Sequence, residues 1–194
     1  NYCHTPLFCA MDADTLLEPE ALMRAVRPFL EDHRTIAAGG IIRIANGYTI
    51  ESGRVVDVAL PNSWLARFQV LEYLRAFLAG RVGWDRLGMT VIISGAFGVF
   101  RRSAVVEVGG YFTKTVGEDM ELVVRLHRRH LETGRPYRVA YLPDPIAWTE
   151  CPTDTGTLGR QRDRWHRGTA EILWRHRGMF FNPRHRAIGM VALP

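Results

Sequence analysis

An α/β domain is the fold this sequence predicts, and three observations predict it. Short apolar runs break off into acidic residues or glycines. Stretches with apolar residues at helical spacing alternate with them. A chain of 194 residues with 47% hydrophobic content can bury one core.

Taken in order, Pro6 to Met11 is an apolar run that ends in Asp12-Ala13-Asp14, which predicts a buried strand delivering carboxylates at its C-terminal end. Glu18-Pro19-Glu20 predicts a helix start, because proline suits a first turn and acids favour a helix N-terminus. That helix runs to about Phe29, with Leu22, Ala25, Val26 and Phe29 on one face. Ile36 to Ile44 predicts a strand interrupted at Gly39-Gly40. Trp64, Leu65, Phe68, Leu71, Leu74 and Leu78 recur at helical spacing and predict an amphipathic helix.

Thr90 to Ile93 predicts a further strand, broken by Gly95 and Gly98 before Val99-Phe100 resumes. Ser103 is placed to cap a short helix that Gly109-Gly110 ends. Helices are then expected from Asp119 to Arg129 and from Leu158 to about Arg175, with a strand from Tyr137 to Leu142 between them. No internal repeat, low-complexity segment or linker interrupts the pattern.

The formal charge is +5, and Lys114 is the only lysine. Arginine and histidine gather between Arg160 and Arg186, a segment suited to phosphates, nucleic acid or an anionic membrane surface. Cys3, Cys9 and Cys151 do not have zinc-site spacing and read as free thiols in a reducing cytosol. No apolar run reaches the length of a membrane span. The chain opens within a running pattern and stops inside the apolar stretch Ala187 to Pro194, so both ends read as cuts in a longer protein.

Four short motifs carry the chemistry. Asp12 and Asp14 are carboxylates two residues apart after an apolar run, the hard oxygen donors that Mg²⁺ or Mn²⁺ takes together with substrate phosphates. The same pair also suits an Asp-capped strand-to-loop turn. In Ser94-Gly95-Ala96-Phe97-Gly98, Gly95 and Gly98 let the backbone approach a ligand while Phe97 can stack on a sugar ring, although a bend or bulge has the same signature. Glu118-Asp119 after Gly117 places carboxylates at a helix N-terminus, where the ionised form is favoured; that suits a base and equally an N-cap, and Glu121 is a third acid in the same turn. Gln161, Arg164 and Trp165 share one helix face, where Arg can pair with a diphosphate and Trp offers a flat apolar surface. An amphipathic helix with a buried Trp is the plainer reading of that last pattern.

In this order, Met11-Asp12-Ala13-Asp14, Phe100-Arg101-Arg102-Ser103, Val108-Gly109-Gly110-Tyr111 and Gln161-Arg162-Asp163-Arg164-Trp165 resemble the processive, membrane-bound family-2 glycosyltransferases. Cellulose, hyaluronan, chitin and poly-N-acetylglucosamine synthases belong to that group. The resemblance implies a GT-A-like, partially Rossmann-like domain, a mixed sheet flanked by helices and truncated at its N-terminus. It implies that Asp12 and Asp14 hold Mg²⁺ or Mn²⁺ and the donor diphosphate. It implies Asp119 as general base, with Gln161, Arg164, Trp165, Gly95 and Phe97 around the diphosphate and acceptor.

The reaction so implied is inverting transfer from a nucleotide-diphosphate sugar, expected to be a UDP-sugar, to a growing polysaccharide. Residues 1–178 would be the C-terminal part of the catalytic domain, and 179–194 an interfacial segment leading to a membrane helix outside this chain. The site would lie at the cytosolic face of the cell membrane. Without the family's upstream half and flanking helices, the chain by itself is expected to be inactive. Single-sugar transfer to a lipid acceptor is the neighbouring alternative, and a scaffold that has lost activity is disfavoured because the acidic and Gln-Arg-Trp positions are intact. A basic nucleic-acid-binding domain is disfavoured, because the acidic motifs repel a phosphate backbone and no helix-turn-helix or ribonucleoprotein motif is present; no nucleic-acid partner is expected.

Overall fold

The computed structural model describes residues 3–194, apart from the side chain of Pro145. Among them, a mixed sheet runs in the order β1 (Leu7–Met11), β6 (Phe97–Arg101), β3 (Thr35–Ile44), β7 (Arg138–Thr149), β2 (Leu16–Leu17). Only the β3–β7 pair is parallel. A small hairpin of β4 (Thr49–Glu51) and β5 (Arg54–Asp57) stands apart from it. Helices α1 (Ala21–Glu31), α2 (Trp64–Tyr73), α3 (Val82–Arg86), α4 (Arg102–Glu107), α5 (Glu118–Thr133) and α6 (Thr155–Arg175) complete the expected α/β class. A π-helical segment, Leu74–Arg81, joins α2 to α3.

Two hydrophobic clusters pack on the sheet. One gathers Ala25 and Phe29 of α1 with Ile41, Ile42, Phe97 and Ile146. The other gathers Leu122, Val123 and Leu126 of α5 with Ile36, Ile93, Phe100 and Val139. Gly39 and Gly40 do not interrupt β3. They make room on its surface, since a Cβ on Gly40 would stand 2.2 Å from Ile146 Cδ1 and one on Gly39 3.0 Å from Ile93 Cγ2.

Several local expectations change for physical reasons. β1 is an edge strand and only half-buried. Glu18 is not a helix-terminal acid: its backbone N–H donates to the Ile146 carbonyl at 2.8 Å, and its carboxylate accepts from Trp148 Nε1 at 2.6 Å. Helix α1 therefore starts later, at Ala21, behind Glu20 at φ 65°, and Leu22 lies on its exposed side. Ser103 lies inside α4, whose N-cap is Arg101, while Gly109 (φ 89°) and Gly110 (φ 77°) end it as expected. Helix α5 extends to Thr133, and α6 begins at Thr155 behind Asp154, whose side chain accepts from Thr157 N–H.

Thr90 to Ile93 is not a strand. It pairs with no strand among the described residues, and its Thr90 carbonyl accepts from His127 Nε2 of α5 at 2.7 Å. Ile93 then drops into the hollow above Gly39 and Gly98.

Two glycines make opposite predictions. Gly40→Ala forces a methyl into Ile146 within a closed core and should destabilise by about 1–3 kcal/mol. Gly159→Ala, in α6 with nothing near its Cβ position, should stabilise by about 0.5–1 kcal/mol. Denaturant midpoints of the two variants against wild type check both signs.

Candidate active site

Asp119 sits in the first turn of α5, after the N-cap Gly117. Its Oδ2 accepts from the Gly95 backbone N–H at 3.0 Å, and its Oδ1 from Met120 N–H at 2.7 Å. Two of the sequence motifs therefore meet through one hydrogen bond. Burial pushes the Asp119 carboxyl above the ordinary range, the two backbone donors pull against it, the Glu118 charge adds to the rise and Arg81 opposes it. The loop carrying Gly95 is held at both ends by α5. His127, one face of which packs against Tyr137, is fully buried and its imidazole is pushed down to about 4 by burial. It is neutral at pH 7, so Nε2–H donates to the Thr90 carbonyl and Nδ1 accepts from the Tyr137 hydroxyl at 2.8 Å.

Asp12 and Asp14 lie in the turn that follows β1 rather than on the strand, and Thr15 N–H closes that turn on the Asp12 carbonyl at 3.2 Å. Burial pushes the Asp12 carboxyl up, followed by the charges of Asp14 and Glu118, with Arg164 pulling the other way. These four side chains share one electrostatic neighbourhood. Carboxylates that repel one another at a partly desolvated position are stabilised by a hard cation. Among the described residues, no group of three or more His, Cys, Asp or Glu is arranged to hold a metal. Asp12 and Asp14 fit the sparse protein share of a cation that takes its other ligands from phosphates and water.

Gln161, Arg164 and Trp165 lie on helix α6. It approaches the start of α5 through two glycines: a Cβ on Gly168 would be 3.1 Å from Gly117 N, and one on Gly117 2.7 Å from Ile172 Cδ1. Arg162 pairs with both carboxylate oxygens of Glu72 on α2, at 2.7 and 2.5 Å, and stacks over Trp165 with Cζ 4.7 Å from the ring centre. Trp165 is 37% exposed, so the buried-Trp reading of this helix does not hold. Arg164 is exposed and carries its charge toward Asp12.

Deeper in the fold, Glu121 is fully buried. Burial alone would raise its carboxyl, but His176 and Arg125 hold it below the ordinary value. Arg125 donates to Glu121 at 2.7 Å and to the Gly110 carbonyl at 2.7 Å, and His176 at the end of α6 stands 3.5 Å from Glu121. Glu121 is thus a structural acid, which separates it from Glu118 and Asp119.

Phe97 does not reach this site. It is 0% exposed in the core on β6, which leaves no ring face for a sugar; Gly95 contributes its N–H instead. Two residues given no role at the site from sequence share its electrostatic field. Tyr111, turned back by Gly109-Gly110, has its phenol pushed up to about 12 by burial and by the charges of Asp119, Glu118 and Cys9. The Gly-Gly-Tyr turn was its only sequence signal. Arg81, in the π-helical segment, is depressed by burial, lies in the fields of Tyr141 and Asp119, and stacks 3.9 Å from the centre of Phe77. Nothing in its spacing announces that position.

The chain matches the family model described as Glycosyl transferase family group 2 over residues 7–193. It is 31% identical over 165 residues to a poly-beta-1,6-N-acetyl-D-glucosamine synthase of Staphylococcus aureus, covering 85% of this chain and 35% of the relative. The synthase of the same description from Staphylococcus epidermidis is 28% identical over the same extent. This chain thus spans about a third of the length of those curated relatives. A mannosyltransferase from Pyrobaculum calidifontis, solved with GDP-Man and Mn²⁺, superposes with a TM-score of 0.63 at 18% identity, over 96% of this chain and 44% of that one. That likeness confirms the GT-A-like fold expected from sequence.

His127 sets an acid limit on the fold. Its native pKa of about 4 lies below the unfolded value of about 6.5, so the unfolded chain binds the proton first. The stabilisation is complete above about pH 6.5 and should fade by roughly 3 kcal/mol as pH falls through about 4. Denaturant unfolding between pH 7 and 4 should show a flatter dependence in His127→Gln; an unchanged slope would contradict the assignment.

Proposed function

We propose the reaction from one premise: the chain belongs to glycosyl transferase family group 2 and is a hexosyltransferase. In this reading it transfers a sugar from a nucleotide-diphosphate sugar to a growing polysaccharide, with inversion at the anomeric carbon. The hydrogen bond between Gly95 N–H and Asp119 carries the proposal. It fixes a carboxylate at a helix start, beside a second cluster made of Asp12, Asp14, Glu118 and Arg164.

Asp119 accepts the proton of the attacking sugar hydroxyl at the carboxylate oxygens that Gly95 and Met120 orient. Its raised pKa makes it a stronger base than an ordinary carboxylate. Asp12 and Asp14 hold a divalent cation, Mg²⁺ or Mn²⁺, which when bound neutralises charge on the departing diphosphate. Arg164 supplies a fixed positive charge on the same side, Gln161 a neutral donor and Trp165 an accessible aromatic face for a sugar ring. A UDP-sugar donor, a saccharide acceptor and the cytosolic membrane face complete the reading. Residues 1–178 form the C-terminal part of the catalytic domain, and 179–194 lead toward the membrane. Among the described residues, no helix is long and apolar enough to cross a membrane.

The full-length enzyme in membranes, assayed against a panel of nucleotide sugars, tests the reading. Asp119→Asn should retain donor binding while transfer falls by roughly two to four orders of magnitude, and Glu118→Gln should cost less. Asp14→Asn should instead remove the response to Mg²⁺ or Mn²⁺. Near-normal transfer by Asp119→Asn, or loss of nucleotide binding as complete as that of Asp14→Asn, would remove Asp119 as the base.

The pH profile follows from the same group. Because the Asp119 carboxyl titrates above the ordinary carboxylate range, its ionised form, the only one able to take a proton, is lost as pH falls through that raised value. Wild-type transfer should therefore show an acid limb above the usual carboxylate range, and the residual rate of Asp119→Asn should lack it.

A further inference from the structure

Arg162 lies inside the Gln161–Trp165 motif and has no part in the reaction proposed above. Its guanidinium is engaged on two sides. At its end, Nη1 and Nη2 donate to the two carboxylate oxygens of Glu72 on α2, at 2.7 and 2.5 Å. Its flat face covers the ring of Trp165, with Cζ 4.7 Å from the ring centre. A two-point pair with a carboxylate fixes the plane of a guanidinium as well as its position. Glu72 therefore orients Arg162, and Arg162 closes one face of an indole that is still 37% exposed. The face left for a ligand is the opposite one.

The pair is not the only fastening between these elements. Gln69, one turn earlier on α2, is buried and donates from Nε2 to the Pro152 carbonyl at 2.8 Å. Asn46 exchanges two hydrogen bonds with the backbone of Cys151, at 3.0 and 2.7 Å. Both hold the segment that enters α6 at Asp154. By contrast, the side chains of Glu72 and Arg162 are 41% and 26% exposed, and an ion pair so open to water adds little to stability. Its geometry is what distinguishes it: a charged plate laid on an aromatic ring of the site.

The ring so held is also placed relative to the rest of the site. Arg164 carries its charge toward Asp12, whereas Trp165, the next residue, lies about a quarter turn further round α6, under the Arg162 plate. The helical stretch that begins with Glu72 continues toward the proposed base. Tyr73 stacks on Phe77 with ring centres 5.3 Å apart, Arg81 lies 3.9 Å over Phe77, and Arg81 stands in the field of Asp119. One stretch of chain thus borders both the sugar face of Trp165 and the carboxylate that takes the proton. An attacking hydroxyl must reach Asp119 while its ring rests on Trp165, and transfer is sensitive to misplacement by about 1 Å.

We propose that Glu72 is a positioning residue for the acceptor: through Arg162 it holds Trp165 so that the ring face opposite the guanidinium is presented to the acceptor sugar. This deepens the transferase reading above and rests on it.

The test uses the full-length enzyme in membranes, with the nucleotide sugar that supports transfer in the panel above and oligosaccharides of the same sugar as added acceptor. Glu72→Gln should raise the acceptor KM about three- to tenfold, the scale of one aromatic contact, and leave the donor KM within about twofold. Arg162→Lys keeps the charge but has no plane to lay on the indole, so it should show the same split, and it carries the test if Glu72→Gln folds poorly. Exchanging the two, Glu72→Arg with Arg162→Glu, restores an ion pair between the helices but moves the guanidinium to α2, so the acceptor KM should stay raised. Recovery of the wild-type acceptor KM in the exchanged enzyme would overturn the proposal, since the pair would then be a tie between helices and nothing more. A wild-type acceptor KM in both single variants, or equal rises in donor and acceptor KM, would overturn it too. Those outcomes leave the transferase reading intact; absence of transfer by the wild type with every sugar of the panel would overturn both.

Discussion

The closeness of two helices is the constraint on which the site depends. Gly117, at the start of α5, and Gly168, in the middle of α6, meet with no room for a side chain on either. That approach lets the carboxylates at the head of α5 and Arg164 on α6 share one electrostatic field with Asp12. A methyl at either glycine pushes against backbone or against Ile172, which is fully buried, so the separation is set by hard packing rather than by a flexible contact.

A second layer keeps that approach in register. The buried Glu121 ties α5 to Arg125 and to His176 at the far end of α6, and Arg125 also holds the Gly109-Gly110 turn that presents Tyr111. Arg162 and Glu72 fasten the near end of α6 to α2. At Glu121, a buried charge left by removing one partner is far more costly than the pair is stabilising. The loop before β6 is handled the same way, with its Thr90 carbonyl on His127 and its Gly95 N–H on Asp119. One helix therefore both carries the proposed base and positions the loop facing it.

The alternation of apolar runs with helical spacing was legible, and so were most helices, because burial on one face leaves a period in the sequence. The acidic and Gln-Arg-Trp motifs were legible as motifs, since their residue types are unusual for plain packing at those spacings. Phe97 was misread, because a strand residue between two glycines has the same pattern whether its ring faces a ligand or the core, and here Gly98 opens space for Ile93 and Phe100 instead. Thr90 to Ile93 was misread as a strand, because apolar β-branched residues also suit an extended segment that pairs with no strand, and among the described residues this one does not. Arg81 was invisible, since one arginine among several in a helical stretch carries no periodic signal.

By itself the sequence determined the α/β class, the order of its helices and the chemical types available to a site: paired carboxylates, a helix-start acid, and an Arg and Trp on one helix face. Those follow from local preferences and periodicity, which neighbouring residues express without help. Tertiary structure alone decided which of them meet. Asp119 and Gly95 are 24 residues apart in the chain, and Asp12 and Arg164 lie near its opposite ends, so only the packing of α5 against α6 and the sheet joins them. The direction of the Trp64 to Leu78 stripe was decided there too, because a helical period shows that a face exists but not whether the protein core or something outside it provides the cover.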